Sequence, residues 1–154
     1  MAEITHGVKY WFNDIARLWG TITDDKGKRV TGYTLERVPE SVTKVPCAIS
    51  FLDGNIDAAV SYGGPSMVVY RGKTEFHLTM GLQRDQLPYV MSFPDKVIEK
   101  VASSITLGGK VVHFGLDGPI QVAQLTWGNE SEHYGLIVPW MVQENQSGKY
   151  DVIA

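Results

Sequence analysis

Met67-Val68-Val69-Tyr70-Arg71-Gly72-Lys73-Thr74-Glu75-Phe76-His77-Leu78-Thr79-Met80-Gly81-Leu82-Gln83 is the stretch on which the fold turns. It opens as an apolar run, passes through a polar pair containing glycine, and continues as a long alternation. Thr74, Phe76, Leu78, Met80 and Leu82 take one face of that alternation; Glu75, His77, Thr79 and Gln83 take the other. Two strand-like runs around such a pair predict a hairpin turning at Arg71-Gly72. A period of two with one apolar side predicts an antiparallel sheet that buries one face.

Upstream, Val8, Trp11, Phe12, Ile15, Leu18, Trp19 and Ile22 recur at three- and four-residue steps. That stripe predicts an amphipathic helix laid on the sheet. It ends in the polar turn Asp24-Asp25-Lys26-Gly27-Lys28-Arg29. Two aspartates beside the basic residues favour a solvated turn over a phosphate contact. Residues 30–36 alternate as a short strand, Pro39 and Pro46 bracket a loop, and residues 47–52 form an apolar run typical of a buried strand. Asp53-Gly54-Asn55 is a turn, and residues 56–65, with Gly63-Gly64, read as a loop.

Downstream, Leu87, Val90, Met91, Val97, Ile98, Val101 and Ile105 keep helical spacing. Pro88 suits a first turn, but Pro94 does not suit a helix interior, where proline costs ~3 kcal/mol. The expectation is a kink, or a short helix followed by a longer one starting near Ser92. Leu107-Gly108-Gly109 supplies the stop. Short strands are then expected at residues 111–114, 120–127 and 133–142. In the last of these Tyr134, Leu136, Val138, Trp140 and Val142 share a face. The predicted fold is α+β: a mainly antiparallel sheet with an N-terminal helix and a second, kinked or broken, helix packed on one face. The whole chain, 1–154, reads as one domain, with residues 1–5 and 145–154 as loose termini.

At 154 residues, 44% hydrophobic and 20% charged, the chain has an ordinary globular composition. Its formal charge of -3 argues against electrostatic binding of nucleic acid. Cys47 is the single cysteine, so no internal disulfide can form. Neither a signal peptide nor an apolar run of membrane-spanning length is legible, so the reading is a soluble protein without a membrane partner.

Catalytic constellations are not legible either. His6, His77, His113 and His133 lack the spacing of a metal pair. His77 falls on the polar side of its strand, where a solvated or interface role is expected. Cys47 lies in an apolar run without a local acid–base partner and reads as an inert thiol. Gly63-Gly64-Pro65 and Gly108-Gly109-Lys110 fit neither phosphate-loop spacing. Trp11, Trp19, Trp127 and Trp140 suit core packing. The expectation is no catalytic residue, no metal and no cofactor.

Four segments carry a resemblance to a known family: the strand–loop–strand GYTLERVPESVTKVPCAISFL (32–52), VVYRGKTEFHLTMGLQRDQLPYV (68–90), ITLGGKVVHF (105–114) and WGNESEHYGLIVPWMVQEN (127–145). In order and texture, with the amphipathic first helix, the chain resembles the small tail-terminator or tail-completion proteins of long-tailed bacteriophages. The resemblance covers nearly the whole chain as a pattern of elements and carries no catalytic residue. It implies a virion protein of the tail, assembled in the host cytoplasm as a ring, usually of six subunits. Such a ring caps the tail tube and joins it to the head connector proteins, and DNA passes through without specific binding. Another head–tail joining or tube component is the neighbouring reading. A small-ligand-binding or enzymatic α+β domain is the reading of a different class.

One surface follows from the residues alone. If Trp140 and its neighbours face the helices, Ile137 and Met141 lie on the opposite face, where a solvated sheet prefers polar residues. Pro139 between them withholds a ladder hydrogen bond and suggests an edge or a bulge. Ile137, Pro139 and Met141 are therefore the candidate subunit interface, unless a loop of the same chain covers them. The first and last strands are expected to offer sheet edges.

Overall fold

The computed structural model describes residues 3–61, 64–81, 84–128 and 132–149. Gly63, Leu82, Gln83 and the outermost residues of both expected loose ends lie outside these ranges.

Val8–Trp19 forms the first helix, α1. Trp11, Phe12, Ile15, Ala16 and Trp19 fall on its inner stripe and are buried. The helix has no side-chain cap from its own sequence. Instead Glu144, from the other end of the chain, accepts the Gly7 N–H with both carboxylate oxygens at 3.0 and 3.2 Å. A negative charge thus sits at the positive end of the helix dipole.

The sheet has seven strands: β1 (Thr31–Tyr33), β2 (Cys47–Leu52), β3 (Asp57–Ser61), β4 (Gly64–Thr79), β5 (His113–Leu116), β6 (Gln121–Leu125) and β7 (His133–Asn145). Its spine is the antiparallel ribbon of β4 and β7, paired from Met67↔Asn145 to Thr79↔Tyr134. On the outer side of β4, β2 and β3 follow one another; on the outer side of β7, β6 and β5 do. Only β1 runs parallel to its neighbour, β2. The α+β architecture with a mainly antiparallel sheet and an N-terminal helix is therefore the fold of this protein.

Four local expectations need correction. Arg71-Gly72 is not a turn: β4 runs through it as one 16-residue strand. Gly72 stands opposite Trp140, and a Cβ there would collide with the Trp140 indole and lie 2.6 Å from the Phe51 carbonyl oxygen. The glycine admits a large ring over the sheet, and its φ is not in the left-handed region a primed turn needs. An antiparallel partner lies earlier, where a loop is expected: β3 pairs with the start of β4. The strand at residues 30–36 shortens to β1, because Asn13 of α1 accepts the Leu35 N–H at 2.9 Å and Leu35–Arg37 coils into a 3-10 turn. Lastly, β7 is an interior strand rather than an edge. The Pro139 carbonyl accepts the Asp117 N–H at 3.0 Å, so the proline nitrogen faces the same side, between the ends of β6 and β5. No ladder hydrogen bond is lost there.

The second helical region breaks as Pro94 requires, into α2 (Leu87–Met91) and α3 (Phe93–Ala102). Val90, Phe93, Val97 and Val101 turn inward, whereas Leu87, Met91, Ile98 and Ile105 of the expected stripe are exposed. The break rotates one helix against the other, so no single stripe serves both. All three helices cover one face of the sheet, against Phe76, Leu136, Val138, Trp140 and Val142. Gly32 of β1 lets the backbone of α1 approach directly: a Cβ there would overlap the Ala16 carbonyl oxygen.

Candidate interaction surface

Among the described residues the opposite face of the sheet carries no α-helix. In β7 its residues are His133, Gly135, Ile137, Pro139, Met141 and Gln143; in β4 they are Arg71, Lys73, Glu75 and His77. Alternation along two paired strands puts them all on one side.

One end of this face is closed from within the chain. Val42 and Val45, from the proline-bracketed loop, pack with Cys47, Ile49, Tyr33 and Trp127 in a second small core. Trp127 donates from Nε1 to the Pro39 carbonyl at 2.8 Å. Near it, His77 and His133 are buried, at 0% and 1% exposure, His77 standing opposite Cys47 in register. Their Nδ1 atoms are 3.0 Å apart, and His77 Nε2 lies 3.1 Å from Glu75 Oε1. His77 is thus a buried member of a polar cluster, not the solvated side chain its alternation suggested. Burial, and secondarily His77, hold His133 below the usual histidine range.

The other end is open. Ile137, Pro139 and Met141 are half-buried there. Ile137 stands between Glu75 and Gln121, Pro139 opposite Lys73, and Met141 between Arg71 and Gly115. Charge pairs flank the row. Arg71 reaches Asp57 at 2.7 Å and Asp117 at 3.4 Å, and Lys73 reaches Asp53 at 2.8 Å. The structure therefore brings the three expected residues together in one apolar row, fenced by ion pairs. The fence was missed: β3, which brings Asp57, falls in the stretch expected to be a loop, and nothing local to Arg71 marks its partners.

Two further groups of polar side chains bear on chemistry. Burial pushes the Cys47 thiol up to about 12, so it stays protonated near neutrality. A cleft of about 490 Å³ is lined by Asp24, Lys28, Pro46, Met80 and Tyr89 among others. Its most buried carboxylate is engaged within the cleft itself. Tyr89 donates to Asp24 Oδ2 at 2.7 Å, and the Lys26 and Lys28 N–H groups bind Oδ1 at 2.9 and 2.7 Å. Burial opposes the Asp24 charge, but these bonds prevail and hold its carboxyl low. Burial and the bond to Asp24 push the Tyr89 hydroxyl well up. Among the described residues no group of three histidine, cysteine or acidic side chains is placed to hold a metal. Nor, among them, is any helix long and apolar enough to cross a membrane.

No model of a known protein family, no curated protein and no solved structure matches the chain.

Proposed function

We propose that this chain is a structural subunit that assembles through the open face of its sheet. The reading that suits it best is the tail-terminator or tail-completion ring of a long-tailed bacteriophage, non-enzymatic and free of cofactors. In that role it caps the tail tube, meets the head connector, and lets DNA pass without specific binding. The observation that carries assembly is the half-buried row Ile137–Pro139–Met141 on a sheet face that no α-helix of the described residues covers. A face with apolar residues at its centre and charges at its margin has the layout of a subunit contact. The formal charge of -3 suits a passage that must not retain DNA. Resemblance of the elements, set out above, supplies the phage context.

The test is Ile137→Asp, followed by native mass spectrometry and circular dichroism. The wild-type chain is expected to form a closed ring on its own or with its tail-tube partner. The variant should keep its fold and remain a monomer, because a carboxylate is tolerated on a free open face but not in an apolar contact. A folded variant that still closes rings would remove this face from the contact. A wild-type chain that stays monomeric with its tube partner present would end the ring reading itself.

A further inference from the structure

The outer edge of β6 leaves a row of backbone groups without partners. In β7 the Pro139 and Gln143 carbonyls accept from Asp117 and Val112, on the side of β5 and β6. Backbone groups change sides with each residue, so those of Ile137, Gly135 and His133 point the same way, at Gln121, Ala123 and Leu125. Val122 and Gln124 therefore aim their N–H and C=O groups away from the sheet. Among the described residues no other backbone group bonds them. Gln121, Val122 and Gln124 are also exposed in their side chains.

The other strands that bound the sheet are guarded. On β5 the Phe114 N–H, pointing outward, is taken by the Ile105 carbonyl at 2.6 Å. β1 is three residues long, and its Gly32 lies directly against the α1 backbone at Ala16. β3 is broken by a register shift between Ala58 and Val60, and it opens on Asp57, which Arg71 holds. Cover, shortness, irregularity and charge are the devices that keep a sheet from pairing with another chain. β6 has none of them. Its five residues, Gln121–Leu125, are uncharged, contain no proline and keep an unbroken register with β7.

A bare edge takes an extended strand, and this one fits its own copy. Turned antiparallel about Ala123, two β6 strands bring Val122 of each copy opposite Gln124 of the other. Both residues carry outward groups, so each such pair exchanges both of its hydrogen bonds and none of these groups is left over. The small Ala123 side chains then meet on the axis, at a pair without hydrogen bonds, where opposed Cα atoms come within about 4.5 Å. We propose that β6 is a self-association edge, through which two copies of this chain join their sheets about a two-fold axis at Ala123. The contact is separate from the open face. Being two-fold, it pairs subunits or closed assemblies and by itself builds neither a ring nor a fibre. A lone pair of edges holds only at about millimolar concentration. Assemblies that present several edges together are joined more firmly.

Disulfide trapping on the full chain, with diamide as oxidant, tests the register. In Ala123→Cys the two thiols meet at the axis, within reach of a disulfide. In Gln121→Cys each thiol lies opposite Leu125 of the other copy, out of reach. Ala123→Cys should form covalent dimers roughly tenfold faster or more than Gln121→Cys, although position 121 is the more exposed. Cys47 is buried with its thiol pushed up to about 12, and it stays out of the reaction. Gln124→Pro removes an outward N–H and no bond of the subunit's own ladder. Added to Ala123→Cys, it should bring trapping down to the rate of Gln121→Cys with the circular dichroism spectrum unchanged. Equal trapping at positions 121 and 123 overturns the proposal, and so does trapping that survives Gln124→Pro. If the double variant does not fold, the comparison of the two cysteine positions decides alone. Ring closure is read separately, through Ile137→Asp.

Discussion

The two faces of β4 and β7 are made by the same strands, alternating residue by residue, yet they are held by different forces. On the helix side Trp11, Trp19, Phe76, Phe114 and Trp140 meet at tilted and edge-on angles with ring centres 5.1 to 6.3 Å apart. A buried hydroxyl ties two of these rings together. The Thr74 hydroxyl accepts both the Trp19 and Trp140 indole N–H groups, at 3.1 and 3.0 Å, and stands 2.7 Å from the Ser50 hydroxyl. With both lone pairs used, its own hydrogen goes to Ser50, and the group is saturated. On the other side the polar groups are many and their partners are exposed ion pairs or each other. One face is a packed aromatic layer with a saturated hydroxyl among its rings. The other is a shallow layer of charge around a few apolar side chains, and a covering loop decides which part of it is dry. Alternation reports which residues share a face but not what lies over them.

That contrast can be broken most directly at its polar centre. Thr74→Val keeps the shape but strands two indole N–H groups and the Ser50 hydroxyl, each worth about 1–3 kcal/mol when buried without a partner. The variant should lose ~3–5 kcal/mol in urea unfolding, whereas Thr74→Ser, which restores the hydroxyl, should recover most of it. Gly72→Ala comes next. Its methyl would meet the Trp140 ring and the Phe51 carbonyl, so the ring must move off the sheet, at a cost of ~2–3 kcal/mol by the same measurement. A loss under ~0.5 kcal/mol would restore the turn reading of this glycine, since a turn has room for a methyl at the surface. Ile137→Asp should cost less stability than either, because its site is half-open; its effect is expected in assembly. Lys73→Gln breaks the ion pair with Asp53 on two half-exposed side chains and should change stability by no more than ~0.5 kcal/mol. A larger loss would mean that the fence of charges supports the open face as firmly as the aromatic core supports the closed one.

The hairpin shows how a correct pattern can be given a wrong cause. The alternation from Thr74 to Leu78 and the apolar run before it are both present in β4, and glycine does mark something special between them. A glycine in a strand, however, announces either a bend of its own backbone or the approach of another group, and the approaching group is 68 positions away at Trp140. The 56–65 segment failed for the complementary reason. Its residues are small and weakly patterned, and β3 exists because β4 offers it a long edge to pair with.

His77 was placed on the right face and given the wrong surroundings. Its strand neighbours are polar, as on a solvated side, but Gly135 stands opposite it and leaves room for the ring to reach His133. Nothing within ten residues of either histidine announces the other. The interface candidates fared differently. Ile137 and Met141 were assigned to the open face from alternation alone, and they are there. The edge inferred from Pro139 is absent, because the gap between β6 and β5 leaves its missing N–H without a carbonyl to disappoint.

What the sequence by itself determined were the features that depend on local periodicity: α1 and its inner stripe, the limits of β2, the break near Ser92, and the two-sidedness of β7. Each arises from neighbours within a turn or two, where spacing and steric preference act without knowledge of the rest of the chain. Only the tertiary structure decided the interior position of β7, the meaning of Gly72, the Glu144 cap on α1, the saturation of Thr74 and the pairing of His77 with His133. Among these, Trp19 and Thr74 are 55 positions apart, and Gly7 and Glu144 are 137. Their energy resides in desolvation and in filled hydrogen-bond valences, and both depend on what the fold brings alongside.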